Sequence, residues 1–366
     1  MDFRYFELDP DRKNLEERIE QLVRVYEHLL LQTNGSVELA LDYLDQVAKR
    51  YKLWTPEFGL KEFQQWLKDH RMARVDGKGA WSLTGAGERR LRTGSLDAIF
   101  SGLQAGAGGN HRVARPGQGA ERLSETRPYQ FGDNLSLIAT HETLHNALRR
   151  SGGELNIQEE DLAIYETEHD SSCATVLMID VSHSMILYGE DRITPAKRVA
   201  LALTELILTR YPKDRLHVVL FGDEAWEVPL DQIPYCGVGP FHTNTRAGLV
   251  LAKDILRKSK QSNRQIFLVT DGKPSALTEP GGRIYKNPNG LDPRVVNKTL
   301  EEADHCRRLG IPITTFMLTE DPYLVNFVEE FTAINRGRAY YSGAGSLGSF
   351  VFVDYIKNRR RREGGG

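Results

Sequence analysis

The sequence of 366 residues has few cysteines, almost no net charge and no long uncharged apolar run. Its three cysteines, Cys173, Cys236 and Cys306, form no Cys-x-x-Cys pair, which argues against a disulfide framework and a cysteine zinc site. The net charge of −2 argues against a chain that binds nucleic acid over its whole surface. No stretch approaches the ~18 apolar residues of a membrane-spanning helix, and the first residues show no basic-then-apolar leader pattern. We therefore expect a cytoplasmic protein with no membrane segment.

Residues 1–100 have the pattern of a small helical or winged-helix-like domain. Apolar residues recur at helical spacing over residues 12–53, and Ser36 is suited to cap the second helix. A helix over 58–70, two short strands around residues 76–79 and a basic helix from about Gly87 complete the outline. Because the basic residues of that helix are few, we expect this domain to contact protein rather than DNA.

Residues 101–160 are expected to be linker and connector. Gly, Ala, Arg, Gln and Pro dominate up to about residue 128, which is typical of a flexible segment. The chain then changes character, and residues 161–358 alternate apolar strands with amphipathic helices. That alternation predicts an α/β domain with a doubly wound, mainly parallel sheet covered on both faces. Residues 359–366 form a basic and glycine-rich tail.

Three polar segments fall where such a sheet presents its ligand-binding edge, at the carboxyl ends of the strands. One is the Asp-x-Ser-x-Ser run of Asp180, Ser182 and Ser184, and another is Asp271, which follows a later strand. Between them, Thr243 opens a helix. This all-oxygen set suits a hard cation, Mg²⁺ above all, because Mg²⁺ takes six oxygens and keeps some of its waters. An ion held largely by hydroxyls keeps positive charge with which it can attract an acidic side chain of another molecule.

These residues resemble the metal-ion-dependent adhesion site of the von Willebrand factor A domain. Asp180, Ser182 and Ser184 match its Asp-x-Ser-x-Ser motif, Thr243 its loop threonine and Asp271 its later aspartate. The resemblance implies that the serines and the threonine contact Mg²⁺ or Mn²⁺ and that the aspartates act largely through water. It also implies that the ion accepts an acidic residue of a protein partner. Thr245 is an alternative to Thr243, but the family pattern places the ligand before the asparagine.

A looser resemblance covers most of the chain. The N-terminal helical region, the run Arg-Pro-Tyr-Gln-Phe-Gly-Asp at 127–133 and the arginine-rich end are similar to bacterial intracellular A-domain proteins. Those proteins accompany AAA+ ATPases of the MoxR or magnesium-chelatase type. The resemblance implies a non-enzymatic adaptor that works with such an ATPase in protein remodelling or metal insertion. No Gly-x4-Gly-Lys-Ser/Thr phosphate loop occurs, so we do not expect the chain to hydrolyse ATP itself.

Two enzyme hypotheses compete with the adaptor. His141, Glu142 and His145 form a His-Glu-x-x-His pattern, which on a helix would place two zinc ligands and a general base on one face of a hydrolase. Glu166 or Glu168 could supply a third ligand. A phosphatase with an aspartyl nucleophile is the other hypothesis, but the second carboxylate that it needs is replaced by Ser182. We therefore favour the adaptor.

Overall fold

The computed structural model describes residues 15–105, 122–129, 138–151, 157–167 and 172–361, apart from positions 190, 262, 272, 288, 289, 319, 320 and 342–346. Residues 106–121, in the predicted linker, and residues 362–366, in the predicted tail, lie outside the described residues. The chain divides into two compact units. One consists of residues 1–108 and 172–357, and the other of residues 109–171 and 358–366.

The helices and strands of the described ranges are numbered in chain order. The helices are α1 (Leu15–Gln32), α2 (Val37–Arg50), α3 (Leu60–Asp69), α4 (Gly85–Ala105), α5 (Thr140–Ser151), α6 (Ile193–Arg210), α7 (Thr245–Lys258), α8 (Pro293–Arg308), α9 (Pro322–Asn335) and α10 (Leu347–Arg361). The strands are β1 (Ala73–Val75), β2 (Trp81–Leu83), β3 (Arg122–Pro128), β4 (Ala163–Thr167), β5 (Cys173–Asp180), β6 (Arg215–Phe221), β7 (Ala225–Val228), β8 (Asn263–Thr270), β9 (Ala276–Thr278), β10 (Ile284–Lys286), β11 (Ile313–Met317) and β12 (Arg338–Tyr341).

The N-terminal part of the first unit is helical, as predicted. Ser36 caps α2, its side chain accepting a hydrogen bond from the N–H of Leu39. β1 and β2 pair antiparallel between α3 and α4, so the predicted order of helix, hairpin and helix is present. The apolar faces of α1, α2 and α3 bury a core of their own, with Tyr26, Leu44 and Phe63 completely inaccessible.

A six-stranded sheet forms the centre of the same unit, in the order β12-β11-β8-β5-β6-β7. Five strands run parallel, and β7 pairs antiparallel with β6 at one edge. All eight residues of β5 are buried, which is expected of a parallel strand covered on both faces. Side chains from α6 and α10 pack on one face, and those from α7, α8 and α9 pack on the other. The predicted doubly wound α/β architecture is therefore present.

The helix α6 is covered on two sides. Thirteen of its 18 residues are buried, more than a helix with a single apolar stripe would bury. One side faces the sheet, and the other receives Leu31 of α1 and Leu91 and Ile99 of α4, which belong to the same apolar core. An ion pair of 3.2 Å between Arg92 of α4 and Glu205 of α6 lies beside this contact. The N-terminal helices thus complete the hydrophobic core on this face of the sheet.

The second unit is small, and β3 and α5 lie in the stretch 101–160 that was expected to be linker and connector, whereas β4 lies beyond it, in the stretch assigned to the α/β domain. The strands β3 and β4 pair antiparallel, with an irregularity in register. The side chain of Thr143 on α5 accepts a hydrogen bond of 3.0 Å from the N–H of Ala163 on β4. The Arg150 guanidinium donates two hydrogen bonds, of 2.9 and 2.8 Å, to the two carboxylate oxygens of Asp161. Each helix among the described residues is too short or too polar to span a lipid bilayer.

Candidate metal centre

Three polar segments lie at the carboxyl edge of the central sheet. The first begins at Asp180, the last residue of β5, and the second begins at Thr270, the last residue of the neighbouring strand β8. The third contains Thr243 and leads into α7. The N–H of Asn244 donates a hydrogen bond of 2.8 Å to the carbonyl of Gly222, which directly follows β6. Since β6, β5 and β8 are adjacent, the three segments share one edge, where open α/β sheets bind ligands.

Asp180 is completely buried at this edge. Its Oδ1 accepts a hydrogen bond of 2.9 Å from the N–H of Ser182, and its Oδ2 accepts one of 2.6 Å from the hydroxyl of Thr270. Burial, and then the negative charge of Asp271, raise the pKa of Asp180 to about 7. Two carboxylates held close together away from water repel each other, so a cation bound between them would be stabilised.

Hydroxyl groups connect the two carboxylates. The Oγ atoms of Ser182 and Ser184 are 3.0 Å apart, and the Ser184 hydroxyl donates a hydrogen bond of 2.8 Å to Oδ1 of Asp271. Asp180, Ser182 and Asp271 are buried and Ser184 is partly buried. The structure thus joins four of the five predicted residues in one hydrogen-bonded group that includes both carboxylates.

Thr243 lies at the same edge of the sheet, in the segment next to the end of β6, whereas Asp271 follows β8, on the other side of β5. Its N–H donates a hydrogen bond of 3.0 Å to the hydroxyl of Ser275, and its carbonyl accepts hydrogen bonds from Ser275 and Ala276. The N–H of His183 donates a hydrogen bond of 3.1 Å to the carbonyl of Phe241, two residues before Thr243. The threonine segment is therefore attached to both other segments through the backbone.

The choice between the two threonines stays a prediction. Thr243 and Thr245 are each 3% exposed, and among the described residues neither hydroxyl is hydrogen-bonded to the four joined residues. Asn244, between them, caps α7 by accepting a hydrogen bond of 3.1 Å from the N–H of Ala247. Thr245 is the first residue of that helix, whereas Thr243 precedes the cap and lies in the loop.

Arg192 belongs to this site and was missed in the sequence. It is the residue before α6, and its Nη1 donates a hydrogen bond of 2.5 Å to Oδ2 of Asp271. The side chain of Arg192 is 14% exposed and that of Asp271 is 1% exposed. No sequence signal marked this pairing, because Asp191, directly before Arg192, already supplies a carboxylate at the start of α6 and accepts a hydrogen bond of 3.0 Å from the N–H of Thr194.

The donor set fits a hard divalent cation such as Mg²⁺ or Mn²⁺. Carboxylate and hydroxyl oxygens are the side-chain ligands that Mg²⁺ takes, and all five predicted residues offer one or the other. The buried carboxylate of Asp180 has the raised pKa expected of an anion that lacks sufficient compensating charge. Asp180, Ser182, Ser184 and Asp271, with Thr243 as the predicted threonine, fit such an ion by the chemistry of their oxygens.

The His-Glu-x-x-His pattern lies on α5, in the second unit. His141, Glu142 and His145 are all exposed, and the buried positions of the helix are Thr143 and Ala147. No group of three or more His, Cys, Asp or Glu side chains that could hold a metal occurs among the described residues. The side chains of Glu166 and Glu168, proposed as a third ligand, lie outside the part of the chain described. The structure therefore adds no support for the zinc hydrolase.

Comparison with protein families matches two segments of the chain. Residues 173–356 match the profile described as Rv0959-like protein, vWA domain, and residues 121–167 match that described as Rv0959-like protein, third domain. The first match contains the whole six-stranded sheet and all five predicted site residues. The resemblance to the von Willebrand factor A domain and the predicted fold class are confirmed.

Curated relatives extend the similarity over almost the whole chain. The uncharacterized proteins Rv0959 of Mycobacterium tuberculosis and Mb0984 of Mycobacterium bovis are each 31% identical over 362 residues. The match covers 96% of this chain and 52% of each relative, so the chain spans about half the length of these relatives.

Among solved structures, the PilB minor pilin from Streptococcus sanguinis has a TM-score of 0.42 and 16% identity, covering 54% of this chain and 64% of that one. The vWF domain of the type V pili tip protein Mfa5 from Porphyromonas gingivalis has a TM-score of 0.39 and 17% identity, covering 51% of this chain and 95% of that domain.

Proposed function

This chain belongs to the Rv0959-like proteins, and we propose that it is a non-enzymatic protein-interaction module whose partner binding depends on Mg²⁺ or Mn²⁺. The observation that carries the proposal is the hydrogen-bonded oxygen cluster at the sheet edge, with Asp180 and Asp271 as its two carboxylates. A cluster of this composition suits an ion that stays exchangeable and is shared with a partner.

The residues of the site are held in place before any partner arrives. Asp180 is fixed by two hydrogen bonds, one from Thr270 and one from the backbone of Ser182. The hydroxyls of Ser182 and Ser184 are neutral, so they can bind an ion without cancelling its charge. Bound Mg²⁺ or Mn²⁺ would supply the positive charge and the open coordination position that a partner's carboxylate oxygen requires.

The partner that we propose is a protein, specifically an AAA+ ATPase of the MoxR or magnesium-chelatase type, in the cytoplasm. An acidic residue of that ATPase, or of the substrate that it remodels, would complete the metal site. The support is the resemblance of the wider chain to A-domain proteins that accompany such ATPases. Because the chain spans about half the length of its curated relatives, the activity of the whole protein is part of this proposal.

The metal dependence is tested by titrating the full chain with Mn²⁺ in a calorimeter. Asp180→Asn removes one of the two carboxylate charges at nearly constant volume and should weaken Mn²⁺ binding at least about tenfold. The matched control is Asp223→Asn, since Asp223 lies beside the same edge but is paired with Lys286. The control should bind Mn²⁺ like the wild type. A wild-type protein that binds no Mn²⁺ at millimolar concentration would refute the metal dependence.

Partner binding is tested separately, with a purified candidate MoxR-type ATPase immobilised on resin. The wild type and Asp223→Asn should be retained in Mg²⁺ and released by EDTA, and Asp180→Asn should not be retained. Retention of all three proteins in EDTA would show that the ATPase is bound without the metal. No retention of the wild type in Mg²⁺ would show that this ATPase is not the partner.

A further inference from the structure

Arg192 is attached to the metal centre through both its backbone and its side chain. Its N–H donates a hydrogen bond of 3.0 Å to the carbonyl of Met185, which directly follows Ser184. Its guanidinium donates to Oδ2 of Asp271, while the Ser184 hydroxyl donates to Oδ1 of the same carboxylate. Both oxygens of Asp271 are thus engaged, one of them by a full positive charge.

The pair formed by Arg192 and Asp271 lies largely away from solvent, where charges interact more strongly than at the surface. The hydrogen-bonded group consequently contains two carboxylates and one guanidinium. When a divalent cation binds, the guanidinium adds a further positive charge beside Asp271, at 2.5 Å from its Oδ2, and so opposes the ion. Without Arg192, that opposing charge would be absent.

We propose that Arg192 is a built-in cation that keeps the affinity for the metal low until a partner's carboxylate binds. The positive charge of the guanidinium opposes metal binding in the free protein. A carboxylate at the metal offsets that charge, so metal and carboxylate each strengthen the binding of the other. Arg192 is in this sense a positioning and charge-setting residue, because it acts through Asp271. The inference rests on the metal-dependent function proposed above.

The first experiment compares Mn²⁺ affinity in the wild type, Arg192→Gln and Arg192→Lys. Arg192→Gln removes the charge but keeps a donor for Asp271, and it should bind Mn²⁺ about tenfold more tightly than the wild type. Arg192→Lys keeps the charge and should bind Mn²⁺ within about twofold of the wild type. If the Gln variant is destabilised, the rise of its melting temperature with Mn²⁺ concentration reports the same affinity.

The second experiment uses acetate as a minimal carboxylate. Replacing chloride by acetate at constant ionic strength should tighten Mn²⁺ binding more in the wild type than in Arg192→Gln. Complexes between acetate and Mn²⁺ in solution affect both proteins equally, so the comparison between variants cancels them. An increase in Mn²⁺ affinity by acetate that is larger in the wild type than in Arg192→Gln is the coupling that we infer.

Three results overturn the inference, and one of them also removes its basis. If the wild type binds Mn²⁺ but Arg192→Gln binds it no more tightly, Arg192 merely orients Asp271 and the proposed function is unaffected. If acetate acts equally on both proteins, the guanidinium does not couple the metal to a carboxylate. If neither protein binds Mn²⁺, the metal-dependent function itself fails.

Discussion

The ammonium of Lys197 on α6 donates a hydrogen bond of 2.6 Å to the carbonyl oxygen of Leu31, in the last turn of α1. It also donates to the carbonyl of Cys236 at 2.6 Å and to Oδ1 of Asn34 at 2.9 Å. Carbonyls in the last turn of a helix have no partner within that helix, so Lys197 satisfies one of them. The buried lysine therefore ties the N-terminal helices to the segment that runs from Cys236 to Thr243 in the candidate site.

Lys197→Met should lower the free energy of unfolding by about 3 kcal/mol, because buried carbonyls lose their donor while the apolar volume is kept. Burial lowers the pKa of Lys197 to about 8, so the urea titration is made at about pH 6.5, where the ammonium is protonated. Lys49→Met, which breaks an exposed ion pair with Asp45 on α2, is the control and should cost less than about 1 kcal/mol. Equal costs would show that the contacts of Lys197 add nothing.

Glu27 on α1 should make the stability of the first unit depend on pH. Its side chain is 10% exposed and accepts a hydrogen bond of 3.2 Å from Arg90 on α4. Burial, the dominant effect, raises the pKa of Glu27 from 4.5 to about 7. Because the pKa is higher in the folded state, the folded chain binds more protons between these values. The stability that this group contributes is present at low pH and is lost as the pH rises through 7.

Glu27→Gln mimics the protonated carboxyl and removes this titration. The unfolding free energy of the variant minus that of the wild type should therefore increase by about 2 kcal/mol from pH 5 to pH 8. Urea titrations at the two pH values measure the gain. Glu17→Gln, at an exposed position of the same helix, is the matched control and should show no such gain. A change of opposite sign in Glu27→Gln would mean that the ionised carboxylate is stabilised by Arg90 in the folded chain.

Two glycines at the start of α4 provide a test of local packing. A Cβ at Gly87 would press on the backbone carbonyl of Met72, whereas a Cβ at Gly85 would meet nothing within 4 Å. Gly87→Ala should lower the unfolding free energy by about 2 kcal/mol, since the hairpin or the helix must move. Gly85→Ala should be neutral or stabilise by up to about 1 kcal/mol, because alanine restricts the unfolded chain. Urea midpoints that shift equally would contradict the packing of α4 against Met72.

The zinc hypothesis makes a different prediction from the adaptor, and the metal content of the purified chain distinguishes them. We expect no stoichiometric zinc, because His141 and His145 are exposed on one helix. Elemental analysis of the wild type and of His141→Ala should give the same low zinc content. If the wild type instead contains one zinc per chain and His141→Ala loses it, the zinc hydrolase hypothesis is supported.

The strands of the central sheet were predictable where burial on both faces makes the sequence uniformly apolar. All eight residues of β5 and the last six residues of β8 are buried, so these strands have the apolar pattern that predicted a parallel sheet. β7 was missed because it has four residues and leaves Trp226 and Glu227 exposed, so its pairing with β6 decides its conformation. The hairpin of β9 and β10 was missed because its strands have only three residues each and lie in a segment rich in Pro and Gly.

The site was predictable in part for a related reason. Asp180 and Asp271 stand out because each follows an apolar strand, and the topology of a parallel sheet brings such positions to one edge. The pairing of Arg192 with Asp271 joins residues 79 positions apart and depends on how the start of α6 sits beside β8. The packing of α1 and α4 against α6 likewise joins residues that are far apart in the sequence. The sequence showed only that α6 is apolar on most sides.

The shared core of α4 and α6 also bears on the order of events during synthesis. Leu91 and Ile99 of α4 leave the ribosome well before α6, and about 100 further residues must be made before α6 is complete. At ordinary translation rates, the apolar face of α4 is left without its native cover for roughly 5 to 20 seconds. The nascent N-terminal region is therefore a surface that chaperones can bind until the sheet and α6 emerge.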